Sequence, residues 1–256
     1  MPERARLDAV VFDAGGTLVR LDFEWMAAVA REYGYAVDAA TLRRAEVLGR
    51  RRYDASGRPG EGPSPPLGGR GDIRDYFGGM LMAVGIPSYV IGTIVVRYLA
   101  RERQSGLWSR PHEGARATLD WASRSGLRRC VVSNSDGRAE HHLGASGVRD
   151  GLEFVIDSHV VGIEKPDPRI FALALERLGV EPAHALYVGD IRSVDEAGSR
   201  AAGMRFVLLD PYGDYAGDRV ARVATIGELP GWIELHFKLP DPDAALAVAR
   251  RGAVEA

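Results

Sequence analysis

Leu7-Asp8-Ala9-Val10-Val11-Phe12-Asp13-Ala14-Gly15-Gly16-Thr17 is a short apolar run that stops at an aspartate and a glycine turn. Its length and apolarity suit a strand buried on both faces, and Gly-Gly suits the turn that ends it. An acid is thereby placed at a strand's C-terminal end.

Similar runs recur downstream. Leu127 to Val132 stops at Ser133-Asn134, Phe154 to Ile156 at Asp157, Ala185 to Val188 at Gly189-Asp190, and Phe206 to Leu209 at Asp210. Helical patterns lie between them: Glu113 to Ser123 before Gly126, Pro168 to Leu178 before Gly179, and Val194 to Ala202 before Gly203. Strand alternating with helix predicts an α/β fold, a Rossmann-like parallel sheet flanked by helices on both faces. In such sheets ligands bind where strand C-termini gather, and Asp13, Ser133 and Asp190 all fall there.

The alternation breaks between residues 20 and 105. Phe23–Tyr33, Ala39–Arg52, Ile73–Val84 and Pro87–Arg103 read as helices with no clear strand among them, which predicts a smaller all-helical insert. Ser56 to Gly71 is rich in Gly and Pro and reads as a mobile loop. Beyond about Lys238 the chain reads as an extended segment and a short Ala-rich helix.

The chain has 256 residues, is 46% hydrophobic and 27% charged, and carries a formal net charge of -2. That balance, without a long basic run, argues against a nucleic-acid binder and favours a small-molecule partner. No apolar run approaches the roughly 18–20 residues of a membrane span, and no leader pattern opens the chain, so a cytoplasmic location is expected. The single cysteine, Cys130, sits in the apolar run Arg129-Cys130-Val131-Val132 and is expected to be buried and inert.

Asp13-x-x-Gly16-Thr17 after a strand is followed by Ser133 after another, by Lys165 in Gly162-Ile163-Glu164-Lys165-Pro166-Asp167-Pro168, and by Gly189-Asp190 with Asp195. In motif, order and spacing this resembles the haloacid dehalogenase superfamily over about residues 5 to 210. The helical insert matches that superfamily's cap, so the resemblance implies a core of residues 1–19 and 106–256 with a cap at 20–105.

The resemblance implies a magnesium-dependent hydrolase, most simply a phosphatase of a phosphorylated small molecule, acting as a monomer or homodimer. Each residue type suits that chemistry. Asp13 can attack phosphorus and form an aspartyl-phosphate. Asp13, Asp190 and the Gly15 carbonyl would hold a hard cation such as Mg2+, with Asp195 a ligand through water or orienting the others. Ser133 and Asn134, with the backbone amides that follow and a nearby helix N-terminus, would bind phosphoryl oxygens. Lys165 would keep Asp13 ionised and offset charge in the transition state. Thr17 would either cap the turn or touch phosphate. Asp136, in Ser-Asp-Gly-Arg138, reads first as a helix cap, and His141-His142 as exposed helix surface.

One position departs from the pattern. Superfamily phosphatases usually carry an acid/base aspartate two residues after the nucleophile, and here that residue is Gly15. Dehalogenases of the superfamily have a bulky residue there and use no magnesium, and its phosphonatases need a cap lysine, whereas this chain has none before Lys165. Three readings stay open: a phosphatase whose leaving group is protonated otherwise or not at all, a catalytically feeble relative that binds a phospho-ligand or a protein, and a dehalogenase-like hydrolase. Restoring a carboxylate by Gly15→Asp is expected to speed poor leaving groups, provided the turn tolerates a side chain.

Overall fold

A computed structural model describes residues 4–56 and 72–240. The strands are β1 (Ala5–Arg6), β2 (Ala9–Phe12), β3 (Val19–Leu21), β4 (Trp108–Pro111), β5 (Arg128–Ser133), β6 (Phe154–Asp157), β7 (Ala185–Gly189), β8 (Arg205–Leu209), β9 (Arg222–Val223) and β10 (Phe237–Lys238). Helices α1 (Phe23–Glu32), α2 (Ala39–Ser56), α3 (Ile73–Ala83) and α4 (Ser88–Ser105) lie between β3 and β4. The rest are α5 (Ala115–Arg124), α6 (Ala139–Ala145), α7 (Ser158–Val161), α8 (Pro168–Leu178), α9 (Ala197–Ala201) and α10 (Leu229–His236).

The main sheet has the order β6-β5-β2-β7-β8-β9, and every pairing in it is parallel. Alternation of side chains explains its two apolar layers. Val10, Phe12, Val131, Leu186 and Val188 enter one core, while Ala9, Val11, Cys130, Val132 and Tyr187 enter the other. Each fully buried Leu or Phe in such a layer contributes about 1.5–3 kcal/mol. Cys130 is buried, and burial pushes its thiol above the usual range, as expected of an inert position.

Local chemistry sets the helix ends. For α8, the Asp167 side chain accepts from Arg169 N, Pro168 occupies the first turn, and Gly179 closes the helix at φ +65°. The order of strand addition reverses at β2, because β5 and β6 extend the sheet on one side and β7 to β9 on the other. A crevice at the strand C-termini follows from that reversal.

Helices α1 to α4 pack around a third apolar core running from Leu21 to Leu107, with Phe77, Tyr98 and Met26 fully buried. The chain leaves and re-enters the sheet through a two-stranded antiparallel ribbon, β3 with β4. This ribbon was not legible in the sequence, because each strand is too short to show a period and Arg20 and Arg110 interrupt the apolar character. The expected loop, from residue 57 on, and the expected Ala-rich tail, from residue 241 on, lie outside the described residues. No helix among the described residues is long and apolar enough to cross a membrane.

Candidate active site

Three aspartates converge at the centre of the sheet. Asp13 follows β2 and is anchored by its own N–H, which donates to Val188 O at 2.8 Å. Asp190 follows β7, and Asp195 lies in the π-helical turn Arg192–Glu196. Carboxylate oxygens from all three lie within 4.8 Å of one another, and all three residues are buried.

Two glycines permit the approach. Gly16 has φ +85°, and a Cβ on it would stand 2.2 Å from Asp190 Oδ2, so only glycine leaves room for that carboxylate. Gly15 adopts no positive φ, yet a Cβ there would meet Trp108 Cδ1 at 3.0 Å. Of the two conditions for a side chain at Gly15, the backbone meets its own, whereas the Trp108 indole would have to give way by a few tenths of an ångström.

Lys165, 2% exposed, ties the cluster together. Its Nζ donates to Asp13 Oδ1 at 2.5 Å, to Asp195 Oδ1 at 2.9 Å and to Tyr187 OH at 2.9 Å. Tyr187 OH donates in turn to Val132 O at 2.9 Å. Asp195 Oδ2 accepts from the Asp190 and Ile191 amides at 3.1 and 2.9 Å, which fixes the turn that carries both acids.

Charge crowding shows in the acidities. Burial raises the Asp13 carboxyl to about 6, Lys165 opposes that rise, and Asp195 adds to it. Burial also holds the Asp190 carboxyl well above the usual range, with Arg50 opposing and Asp13 and Asp195 adding to it. For Lys165 burial acts downward, but Asp13 and Asp195 outweigh it and keep the ammonium above its usual range.

These residues fit a divalent cation. Formally, three carboxylates against one ammonium leave two negative charges, which one such ion would balance. Asp190 Oδ1 is buried and has no hydrogen-bond partner among the described residues, so its lone pairs are free for a ligand. An all-oxygen donor set suits a hard ion such as magnesium.

The expected phosphate-binding residues divide. Thr17 is fully buried, and its Oγ1 has no partner among the described residues, so it does not cap the turn and its hydroxyl is free for a ligand. Ser133 ends β5, buried, beside the strand that delivers Asp13. The Asn134 side chain is spent elsewhere: Oδ1 accepts from Lys165 N at 2.8 Å and Nδ2 donates to Lys165 O at 2.9 Å. It positions Lys165 and offers a ligand only its backbone.

The expected helix N-terminus behind Ser133 is also corrected. Helix α6 begins only at Ala139, and Asp157 accepts from Ala139 N at 3.0 Å and Gly137 N at 3.1 Å, so a carboxylate already occupies that end. Asp136 is not the cap either, because its carboxylate pairs with Arg138 at 2.6 Å.

Sequence reasoning missed the contribution of α2. Arg50, buried, places Nε 2.9 Å from Asp190 Oδ2 and NH2 2.9 Å from Glu46 Oε2. Glu46 Oε1 accepts from Tyr76 OH at 2.8 Å. A Cβ on Gly49 would stand 2.6 Å from Tyr76 O, so glycine at that position lets α2 and α3 approach closely enough for this chain of contacts. Within Arg50-Arg51-Arg52 the sequence does not distinguish which arginine turns inward, although Glu46 four residues before Arg50 was a usable signal. His112 was missed as well: its Nε2 is buried without a partner among the described residues. Burial, then the charges of Arg50, Arg43 and Arg20, push its ring down to about 3.

A family model described as haloacid dehalogenase-like hydrolase matches residues 7–203. The mouse protein named haloacid dehalogenase-like hydrolase domain-containing protein 3 is 36% identical over 214 residues, covering 82% of this chain and 84% of its own length. A phosphoserine phosphatase of Thermus thermophilus is 42% identical over 98 residues, 38% of this chain and 39% of that protein. Among solved structures, a haloacid dehalogenase-type phosphatase from Thermococcus onnurineus superposes with TM-score 0.54 at 25% identity, covering 89% of this chain and 98% of that one. With the parallel sheet, the aspartate at the end of β2 and the lysine bound to it, these matches show that the chain belongs to the haloacid dehalogenase-like hydrolase family.

Proposed function

We propose that the protein is a magnesium-dependent phosphatase of a phosphorylated small molecule, with residues 20–105 acting as a cap over a core of residues 1–19 and 106–256. The observation that carries this reading is Lys165 Nζ, buried between Asp13 and Asp195 beside a third carboxylate whose Oδ1 has no hydrogen-bond partner among the described residues. Relatives named as phosphatases, including a glyceraldehyde 3-phosphate phosphatase of Methanopyrus kandleri that is 45% identical over 58 residues, point the same way.

Asp13, Asp190 and the Gly15 carbonyl would hold a magnesium ion, with Asp195 a ligand through water or orienting the others, and the ion would supply charge neutralisation of the phosphoryl group. Lys165 keeps Asp13 ionised, and the Asp13 oxygen attacks phosphorus to form an aspartyl-phosphate while the P–O bond to the leaving group breaks. Ser133 and Thr17 offer hydroxyl donors to phosphoryl oxygens. Water then cleaves the acyl-phosphate and regenerates Asp13. Gly15 supplies no proton, so the alkoxide or phenolate departs with protonation from solvent or substrate, and good leaving groups are favoured.

The packing of Trp108 against Gly15 also suits a dehalogenase-like site, where a bulky group stands in place of the acid. Two assays separate the readings. Release of p-nitrophenol from its phosphate ester with magnesium, abolished by chelation, is the expected result. Chloride release from a 2-haloacid in chelator, without phosphate-ester turnover, would overturn it, and no turnover of either substrate class would leave a ligand-binding relative as the reading.

A further inference from the structure

Helix α2 is clamped onto the core beside the site. Arg44 pairs with Asp214 through both nitrogens at 2.9 and 2.8 Å, and its guanidinium lies 4.7 Å from the Tyr212 ring centroid. Arg51 donates to Asp214 O at 2.6 Å and lies 5.3 Å from the Tyr215 ring centroid. Between these two anchors Arg50 turns inward and reaches Asp190.

The Arg50 contact with Asp190 is close but poorly aligned. Arg50 Nε lies 2.9 Å from Asp190 Oδ2, yet it makes no hydrogen bond with any of the described residues. Its firm partner is Glu46 on its own helix, four residues earlier, braced by Tyr76. A buried guanidinium that left Asp190 would remain neutralised by Glu46, so departure strands no charge on α2.

We propose that Arg50 is the cap's stand-in for the metal: docking of α2 and binding of a divalent cation compete for Asp190. The inference rests on the metal reading above. Among the described residues Lys165 pairs with Asp13 and Asp195 but not with Asp190, and Arg50 supplies the cation Asp190 would otherwise lack. Two cations at the same buried carboxylate repel strongly where water is excluded. Whatever free energy the cation withdraws from the docked state, docking withdraws equally from the cation, because the coupling is reciprocal. A substrate phosphoryl dianion, entering between the two positive groups, would remove the repulsion and let the cap close again.

The test is titration calorimetry of the full chain with magnesium chloride alone, on folded protein checked by circular dichroism. Arg50→Gln should bind magnesium at least about fivefold more tightly than wild type, the lower end of ordinary coupling energies. Asp214→Ala is the sharper arm. It removes a negative charge, so electrostatics through space would weaken cation binding, whereas undocking α2 should strengthen it. Unchanged or weaker binding by Arg50→Gln would overturn the inference, because Arg50 would then be neutral toward the ion or would orient Asp190 for it. Unchanged or weaker binding by Asp214→Ala would overturn the link to docking, and this arm stands alone if Arg50→Gln does not fold. Asp190→Asn separates the two levels: if it binds magnesium as wild type does, the metal reading itself fails.

Discussion

A Cβ on Gly15 would stand 3.0 Å from Trp108 Cδ1 and 3.1 Å from its Nε1, so the indole fills the space where a side chain at Gly15 would project. Trp108 is held there by Phe77 and Tyr76, whose ring centroids lie 5.7 and 6.1 Å away. Gly15→Asp alone is therefore expected to give no gain on alkyl phosphates. Gly15→Asp combined with Trp108→Leu should recover part of the about 10²–10⁴-fold that general acid/base catalysis contributes. Comparing kcat/KM over a leaving-group series checks this, and a gain from the single variant would show that the indole moves aside freely.

Asp13→Asn keeps the size of the side chain and the backbone bond to Val188 O but removes the nucleophile. Turnover of an aryl phosphate should fall by at least about 4 kcal/mol of transition-state stabilisation, roughly a thousandfold. Mass spectrometry of wild type quenched in acid during turnover should show one added phosphoryl group, and the variant none.

Lys165 is the only cation within hydrogen-bonding reach of both Asp13 and Asp195 among the described residues. Lys165→Met matches its length but leaves both carboxylates buried without it. Loss of one partner of a buried ion pair costs about 3–5 kcal/mol, so urea unfolding without metal should show a deficit of that size. Millimolar magnesium should narrow the deficit by supplying the missing charge. An equal deficit with and without magnesium would count against the cation site.

His112 gives the protein a pH dependence of known sign. Its ring, pushed from 6.5 to about 3 chiefly by burial and then by Arg50, Arg43 and Arg20, is neutral in the folded state. Between those values the unfolded chain binds a proton that the folded chain does not. Stability is therefore fully present above pH 6.5 and is lost progressively as pH falls toward 3. From pH 6.5 to 5 the loss is about 2 kcal/mol. His112→Gln should remove that part of the slope in urea unfolding at the two pH values, and an unchanged slope would refute the assignment.

The apolar runs, the turns that end them and the order of Asp13, Ser133, Lys165, Asp190 and Asp195 were legible in the sequence, because strand burial and turn chemistry are local and a parallel sheet brings strand ends to one edge. What a side chain does once there was decided by tertiary packing. Asn134 is consumed by the Lys165 backbone, and Asp157 rather than Asp136 serves the start of α6. Trp108 fills the place beside Gly15, and Arg50 reaches Asp190 from α2. Each of these depends on which face of an element meets a partner distant in the chain, and periodicity within one element carries no information about that partner.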